Sequence, residues 1–158
     1  MSTPSAIIGV KRHVLSWVNA LIRDHQGEVK GSTFVKIEAI LPLAGEAAVA
    51  KLGVEFATQM GFRDIILEGD SALVIMAIQK WPQRTDWRIH STISEIVGAC
   101  NQMVNWTAVH VVRGGNEAVH HFARWAATEF TSIAAPVVVS IFLSYLGCMP
   151  GRTHPNAL

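Results

Sequence analysis

The segment from Arg63 to Ile78, RDIILEGDSALVIMAI, constrains the fold more than any other part of the chain. Its apolar run Ile65–Leu67 is rich in β-branched residues and has polar neighbours, a pattern typical of a strand buried on both faces of a sheet. Apolar residues then recur with the spacing of a helix packed on that sheet, at Leu73, Val74, Ala77 and Ile78. The segment therefore predicts a strand, a turn and a helix of an α/β protein.

Asp70 lies between this predicted strand and this predicted helix. The carboxyl ends of the strands are the edge at which open α/β sheets bind ligands. Asp70 and Ser71 are also of the residue types that cap helices, because their side-chain oxygens accept hydrogen bonds from the first free N–H groups. Asp70 is thus a candidate site residue and a candidate helix cap.

Composition limits the classes of protein to which the chain can belong. A length of 158 residues with 50% hydrophobic residues suits one domain with a sizeable core, or one domain plus a tail. The net charge of +1 gives no general attraction to nucleic acid, so binding of that kind would need a local basic patch. Cys100 and Cys148 lack CxxC spacing, which favours reduced thiols in an intracellular protein.

No targeting or membrane segment is predicted. The apolar run Ala6–Val10 before Lys11 and Arg12 is too short for the core of a signal peptide. The segment Ile133–Leu146 is shorter than the ~20 residues that a membrane span needs. We expect an intracellular protein, and the sequence leaves nucleus and cytoplasm open.

Other elements follow from apolar spacing and from turn residues. Apolar residues between Val14 and Ile22 fit one face of a helix, although Trp17–Arg23 fits a strand equally well. A turn at Asp24–Gly27 predicts a β-hairpin over Val18–Ile37. After Pro42, Glu46–Met60 predicts a helix with a stripe of small residues, in which Glu46 lies in the first turn, where the helix dipole favours an anion.

The remaining pattern predicts two helices, one strand and a tail. The third helix covers Ile89–Asn101, a strand covers Trp106–Val112, and a last helix covers Glu117–Phe130. The chain from Ser132 onward has three prolines and is predicted to be a loosely packed apolar extension.

Four local strings resemble one known family. They are IRDHQG at Ile22–Gly27, GEA at Gly45–Ala47 with Gly53 further along the same helix, LEGDS at Leu67–Ser71, and HVVRGGN at His110–Asn116 followed by VHHFARWA at Val119–Ala126. In this order and spacing, over roughly Val18–Ala127, they resemble the plant retroelement-derived ribonuclease H-like (reverse-transcriptase-like) family.

The resemblance implies a ribonuclease H-like α/β fold, with a mixed five-stranded sheet flanked by helices. The N-terminal sequence MSTPSAIIGVKRHVLSW does not resemble the family's first strand, so that strand is either missing or replaced, and Ala6–Val10 is a candidate to fill its place. We accordingly divide the chain into an atypical segment over residues 1–17, a ribonuclease H-like domain over 18–130 and an apolar tail over 131–158.

The resemblance also implies hydrolysis of RNA in RNA–DNA hybrids with two Mg²⁺ ions, which stabilise the attacking and the leaving oxygen. The family holds these ions with four carboxylates. Glu46 matches the second and Asp70 the third, but no acidic residue precedes Asp24, and the fourth position falls on His120. Imidazole is a poor ligand for Mg²⁺ and a better one for Mn²⁺. We expect at most one weakly held ion at Glu46, Asp70 and His120, and weak or no catalysis.

Other residues match positions near the nucleic acid. His110 matches a mobile catalytic histidine near the scissile phosphate, or is a strand residue that faces solvent. Asn116 matches a residue that contacts the nucleic-acid strand, or is a turn residue at a helix N-cap. Trp87, beside Arg84 and Arg88, is predicted to be exposed and resembles a position close to the duplex backbone. These two arginines would form a basic patch with Lys80 and Arg113. This basic patch is modest, so binding should be weak and sensitive to salt.

Three functions remain in competition. The first is a ribonuclease H-type endonuclease with a degenerate site. The second is a non-catalytic module that binds RNA–DNA hybrids or duplex RNA by shape and phosphate contacts. The third is a vestigial protein-interaction domain that uses the apolar segment Ile133–Leu146. The sequence leaves the oligomeric state open.

Overall fold

The computed structural model describes residues 5–13, 17–36, 41–112 and 138–142. Within these ranges the elements are β1 (Ser5–His13), β2 (Trp17–Arg23), β3 (Val29–Lys36), α1 (Pro42–Gln59), β4 (Asp64–Gly69), α2 (Ala72–Gln79), α3 (His90–Cys100), β5 (Asn105–His110) and β6 (Val138–Phe142). The six strands form one mixed sheet in the order β5-β4-β1-β2-β3-β6. β1 is parallel to β4 and antiparallel to β2, so it lies inside the sheet.

β1 supplies the first strand that the resemblance left open. Ala6, Ile8 and Val10 alternate along it and are buried in the core, as expected for apolar residues on one face of a strand. The extended alternative for Trp17–Arg23 is confirmed by β2. Part of the stretch set apart as atypical in the sequence is therefore an inner strand of the sheet.

The predicted hairpin is confirmed by β2 and β3, which pair in antiparallel orientation. One carboxylate oxygen of Asp24 accepts hydrogen bonds of 2.9 Å from the amides of Gln26 and Glu28, and Gly27 has a φ of 80°. Desolvation raises the pKa of Asp24, but these bonds and the contact with Lys30 lower it, and the net pKa lies below its usual value. The turn is therefore stabilised by its own residues Asp24 and Gly27, which the sequence analysis identified as turn residues.

Helix α1 packs its stripe of small residues on the sheet, as predicted. Ala47, Ala50 and Ala57 are fully buried on this side of the helix. Gly53 makes the closest approach, since a Cβ built on it would lie 2.8 Å from methyl groups of both Ile8 and Val10. The missing side chain of Gly53 sets the distance between α1 and β1.

β4 differs from the prediction that both of its faces are buried. Ile65 and Leu67 are buried, whereas Ile66 on the opposite face keeps 36% of its surface exposed. On that face the guanidinium of Arg23 donates to Glu68 over 2.5 Å, across the intervening strand β1. A continuous apolar run cannot distinguish a fully buried strand from one whose second face is shared with an ion pair.

The elements after β4 lie close to their predicted positions. α3 covers His90–Cys100 and β5 covers Asn105–His110, within two residues of each predicted boundary. Trp106 is half-buried and packs against the core. Cys100 is buried, and desolvation raises its pKa to about 11, so its thiol stays protonated.

The predicted apolar tail contains a strand. Val138–Phe142 forms β6, which pairs with β3 and adds a sixth strand to the five that were expected. The predicted last helix, Glu117–Phe130, lies outside the described residues. No helix within the described ranges is long and apolar enough to cross a membrane.

Candidate active site

Glu46 and Asp70 meet in one cleft at the carboxyl ends of β1 and β4. Glu46 reaches it from α1, and Asp70 follows the last residue of β4, Gly69. Val10 lines the same cleft from β1, opposite Gly69 in the parallel register. The cleft is open to solvent. The fold therefore brings together the two carboxylates that the sequence placed 24 residues apart.

The helix-dipole interpretation of Glu46 is wrong. α1 begins at Pro42, with Leu41 as an extended N-cap residue, and its first turn contains no acidic residue. Proline fits the first turn of a helix because the N–H group that it lacks would have no partner there. Glu46 thus lies in the second turn, where it faces the cleft beyond the strongest part of the dipole.

The capping interpretation of Ser71 is also wrong. Ser71 is the N-cap residue of α2, but its hydroxyl makes no capping hydrogen bond. Its backbone carbonyl accepts the first helical bond from Ile75 at 3.0 Å. Asp70 precedes the N-cap and lines the cleft.

His110 lies beside Asp70. It is the last residue of β5, opposite Gly69 in the register, and its Nε2 is 3.3 Å from the backbone carbonyl oxygen of Asp70. The ring donates this hydrogen bond when Nε2 carries the proton. His110 is exposed, as predicted for a strand residue that faces solvent, and its catalytic role stays a prediction.

Val10 is the site residue that sequence reasoning did not single out. It occupies the cleft-facing position of the inner strand, where the resemblance implies the first carboxylate, and it is 4% exposed. The signal was available in part, because Ala6–Val10 was a candidate for this strand. The register that brings Val10 level with Gly69 depends on the pairing of β1 with β4.

Trp87, Arg84 and Arg88 lie on the segment between α2 and α3. Trp87 is 84% exposed, which confirms the predicted exposure, and Arg84 is also exposed. The guanidinium of Arg88 binds the carboxylate of Asp86 through two hydrogen bonds of 2.9 and 2.6 Å. These bonds lower the pKa of Asp86 to about 2 and raise that of Arg88. The positive charge of Arg88 is therefore offset by a neighbour that the sequence analysis did not consider.

Three predicted site residues lie outside the described part of the chain. They are Arg113, Asn116 and His120. Their roles remain predictions.

Solved structures with this fold come from several sources. The chain resembles the ribonuclease H1 of the halophilic archaeon Halobacterium salinarum with a TM-score of 0.68 at 20% identity, covering 81% of this chain and 99% of that one. It resembles the N-terminal ribonuclease H domain of a Mycobacterium tuberculosis protein with a TM-score of 0.70 at 14% identity, covering 84% and 100%. The chain resembles LC11-RNase H1, solved in complex with an RNA/DNA hybrid, with a TM-score of 0.67 at 14% identity. This match covers 81% of this chain and 99% of that one. At these identities the likeness shows the fold alone.

The sequence itself identifies the family. No curated protein sequence matches this chain. The family model described as reverse transcriptase-like matches residues 9–126, which is most of the chain and runs from the inner strand β1 past the cleft residues. This match agrees with the sheet order and with the two carboxylates in the cleft. The chain is a ribonuclease H-like domain that belongs to the reverse transcriptase-like family.

Proposed function

We propose that this domain binds RNA–DNA hybrids and has lost most or all of the two-metal hydrolysis that its family resemblance implies. Two solved structures with this fold, LC11-RNase H1 and a foamy viral protease-reverse transcriptase, contain an RNA/DNA hybrid. Their overall likeness to this chain supports the choice of ligand. The state of the cleft supports the loss of turnover.

Val10 is the observation that carries the proposal. Its aliphatic side chain lines the cleft from the inner strand, between the elements that bring Glu46 and Asp70. A pair of divalent cations needs a cluster of hard oxygen ligands, because the carboxylates must offset the repulsion between the ions. Valine supplies neither charge nor ligand.

The described donor set does not fit a two-metal centre. Within the described ranges, no group of three or more acidic, histidine or cysteine side chains is arranged to hold an ion. Glu46 and Asp70, with His120 as a further ligand, would bind at most one ion weakly, either Mg²⁺ or Mn²⁺. Binding of the hybrid must then rest on the protein's own side chains.

Trp87 is the clearest contact on the described surface. Trp87 has 84% of its surface exposed, so it contributes little to the core, and its flat apolar face is available to sugars and bases. Arg84 lies three residues before it and adds a cation. Arg88 binds Asp86 and therefore contributes less free charge than its position suggests.

We expect the wild-type protein to shift a labelled RNA–DNA hybrid without cutting it in Mg²⁺ or Mn²⁺. Asp70→Asn is the control, because it keeps the shape of the side chain and removes its charge. Equal, negligible cleavage by both proteins is the expected result, with binding that weakens as salt rises. Cleavage by the wild type that Asp70→Asn abolishes would mean that other groups complete the metal centre. A parallel titration with duplex RNA decides between the two nucleic acids.

Trp87→Ala is expected to weaken hybrid binding about tenfold, since loss of an aromatic stacking contact costs about 1–3 kcal/mol. Fluorescence anisotropy with a labelled hybrid measures the dissociation constant. Val104→Ala is the matched control, because Val104 is an apolar residue with 57% exposure that precedes β5 at the opposite end from His110. Equal affinity of the two variants would remove Trp87 from the interface.

A further inference from the structure

All three described helices lie on one face of the sheet. Gly53 of α1 approaches Ile8 and Val10, and a Cβ built on Gly69 would lie 3.2 Å from Ile75 of α2 and 3.3 Å from Val10. α3 packs against both α1 and α2. We call the opposite side of the sheet the second face, which none of the described helices covers.

Leu21 is buried on the second face. Side chains alternate along a strand, so Leu21 points away from its neighbours Ala20 and Ile22, which belong to the core beneath the helices. Leu21 is nonetheless only 1% exposed. Its partners in the adjoining strands are Gly9 and Ser32, and residues as small as these cannot cover a leucine. A further segment must therefore pack over Leu21.

The burial of the second face changes along one row that crosses the strands. The register aligns Val109, Glu68, Gly9, Leu21 and Ser32 in this row, from β5 to β3. Val109 keeps 39% of its surface exposed, whereas Leu21 and Ser32 are buried. The covering segment thus lies over β1, β2 and β3 and leaves β5 partly open.

The connection between β5 and β6 has to cross the sheet. The chain leaves β5 at the cleft end, where the amide of Val111 donates to the carbonyl of Gly69 over 3.0 Å. It enters β6 at the same end, because Val138 pairs with Val35 near the end of β3, and β3 is parallel to β1. These two points lie at opposite edges of the sheet. Since the helices occupy the first face, the second face is open to residues 113–137.

The length and the apolar pattern of this connection fit the second face. Five strand spacings separate β5 from β6, a distance of about 24 Å. The helix that the sequence predicts over Glu117–Phe130 would be about 21 Å long. It would carry apolar residues at i, i+3, i+4, i+7 and i+8, the spacing of a helix face that packs on a sheet. We call these residues the apolar stripe: Val119, Phe122, Ala123, Ala126 and Ala127.

Other stretches outside the described ranges fit less well. Residues 1–4, 14–16 and 37–40 are too short to cover several strands. Residues 143–158 follow Phe142, which pairs with Gly31 at the end of the sheet away from the cleft.

We propose that the apolar stripe of Glu117–Phe130 docks on the second face over Gly9 and Leu21, so that this segment closes a second hydrophobic core within the same chain. Burial of apolar surface on both partners supplies the driving force. The alanines of the stripe and the missing side chain of Gly9 let the helix approach the sheet closely. Neither a second copy of the chain nor nucleic acid is needed to explain the burial of Leu21.

The experiment measures how fast a thiol at position 21 reacts with a maleimide in the full chain. Leu21→Cys introduces the thiol, and peptide mass spectrometry separates its labelling from that of Cys100. Cys100 is buried in the core beneath the helices, so it reports unfolding of the whole domain. Ala126→Asp adds a charge to the apolar stripe. Thr128→Asp is the matched control, because two residues turn a helix by about 200° and place the same charge on the opposite side.

We expect slow labelling at position 21 in Leu21→Cys alone, at two protein concentrations. Ala126→Asp should speed this labelling about tenfold or more, because a charge without a partner cannot stay buried, while Cys100 stays protected. Thr128→Asp should leave the rate unchanged. If Ala126→Asp exposes both thiols, Phe122→Ala provides the milder disruption, and selective labelling at position 21 is again the expected result.

Several outcomes would overturn the docking of the apolar stripe. Rapid labelling of Leu21→Cys alone would show that the second face is open, and faster labelling on dilution would show that a second copy covers it. Equal rates in Ala126→Asp and Thr128→Asp would assign the cover to another segment. Protection of both thiols in Phe122→Ala, or exposure of both in Phe122→Ala and Ala126→Asp, would exclude a separate packing on the second face.

Discussion

Replacing Val10 with aspartate is expected to tighten binding of Mn²⁺ about tenfold or more, because it adds a third carboxylate to the cleft that already contains Glu46 and Asp70. In EDTA the same variant should lose about 3 kcal/mol of unfolding free energy. The new charge is buried at a position that is 4% exposed, near two like charges. Metal should restore that stability, since an ion that binds only the folded state raises its free energy of unfolding.

Thermal unfolding with and without Mn²⁺ measures both effects. Val10→Asn is the control, because the amide has the shape of the carboxylate without its charge. Asparagine should give a similar or smaller loss of stability and no metal-dependent recovery. If the aspartate variant shows no stabilisation by Mn²⁺, Val10 does not occupy the position of the missing ligand.

Catalysis is the second measure of this substitution. With His120→Asp added, the chain would have carboxylates at all four positions that the resemblance implies. We expect Mg²⁺-dependent cleavage of an RNA–DNA hybrid by this double variant to exceed that of the wild type. No gain in a folded, metal-binding double variant would show that the chain lacks more than its ligands.

Replacing Gly53 with alanine is expected to lower the free energy of unfolding by up to about 2 kcal/mol. The added Cβ would lie 2.8 Å from methyl groups of Ile8 and Val10 and 3.3 Å from Ala20, so α1 or β1 must shift. Overpacking of this kind costs about 1–3 kcal/mol, and the better helix propensity of alanine offsets about 1 kcal/mol of it.

Gly98→Ala is the matched control within the same chain. Gly98 lies inside α3, and no atom lies within 4 Å of a Cβ built on it, so the same change should stabilise the protein by about 1 kcal/mol. Chemical denaturation of both variants measures the difference. If Gly53→Ala were as stabilising as Gly98→Ala, α1 would not be held closely against β1. Glu46 lies two turns before Gly53 on the same helix, so a shift of α1 would also move it relative to Asp70.

The close contact at Gly53 bears on the stability of the fold with valine at position 10. Valine at position 10 packs between α1 and the end of β4, near Gly53 and Gly69. An apolar residue there stabilises the core by its burial, whereas a carboxylate without metal would destabilise it. If the first carboxylate of the family belongs at position 10, valine there favours the stability of the core over the binding of metal.

The sequence by itself determined the elements whose signals are local. The strand and helix around Asp70 follow from apolar spacing, the hairpin turn from Asp24 and Gly27, and the packing of α1 from its small residues. The motif strings likewise predicted the family, because each string has its own residue types at fixed spacing. Short-range patterns of this kind can be recognised without knowing which segments of the chain pair with each other.

Only the tertiary structure decided what depends on pairing between distant segments. The sequence left the role of Ala6–Val10 open. In the structure β1 pairs with both β2 and β4, and the register with β4 places Val10 beside Gly69 in the cleft. α1 begins before Glu46 in the structure, so Glu46 lies beyond the first turn of the helix. The strand β6 forms in the tail, where the sequence predicted no strand. A one-residue change of register moves a strand residue to the opposite face of the sheet, so sequence spacing alone could not place Val10 in the cleft.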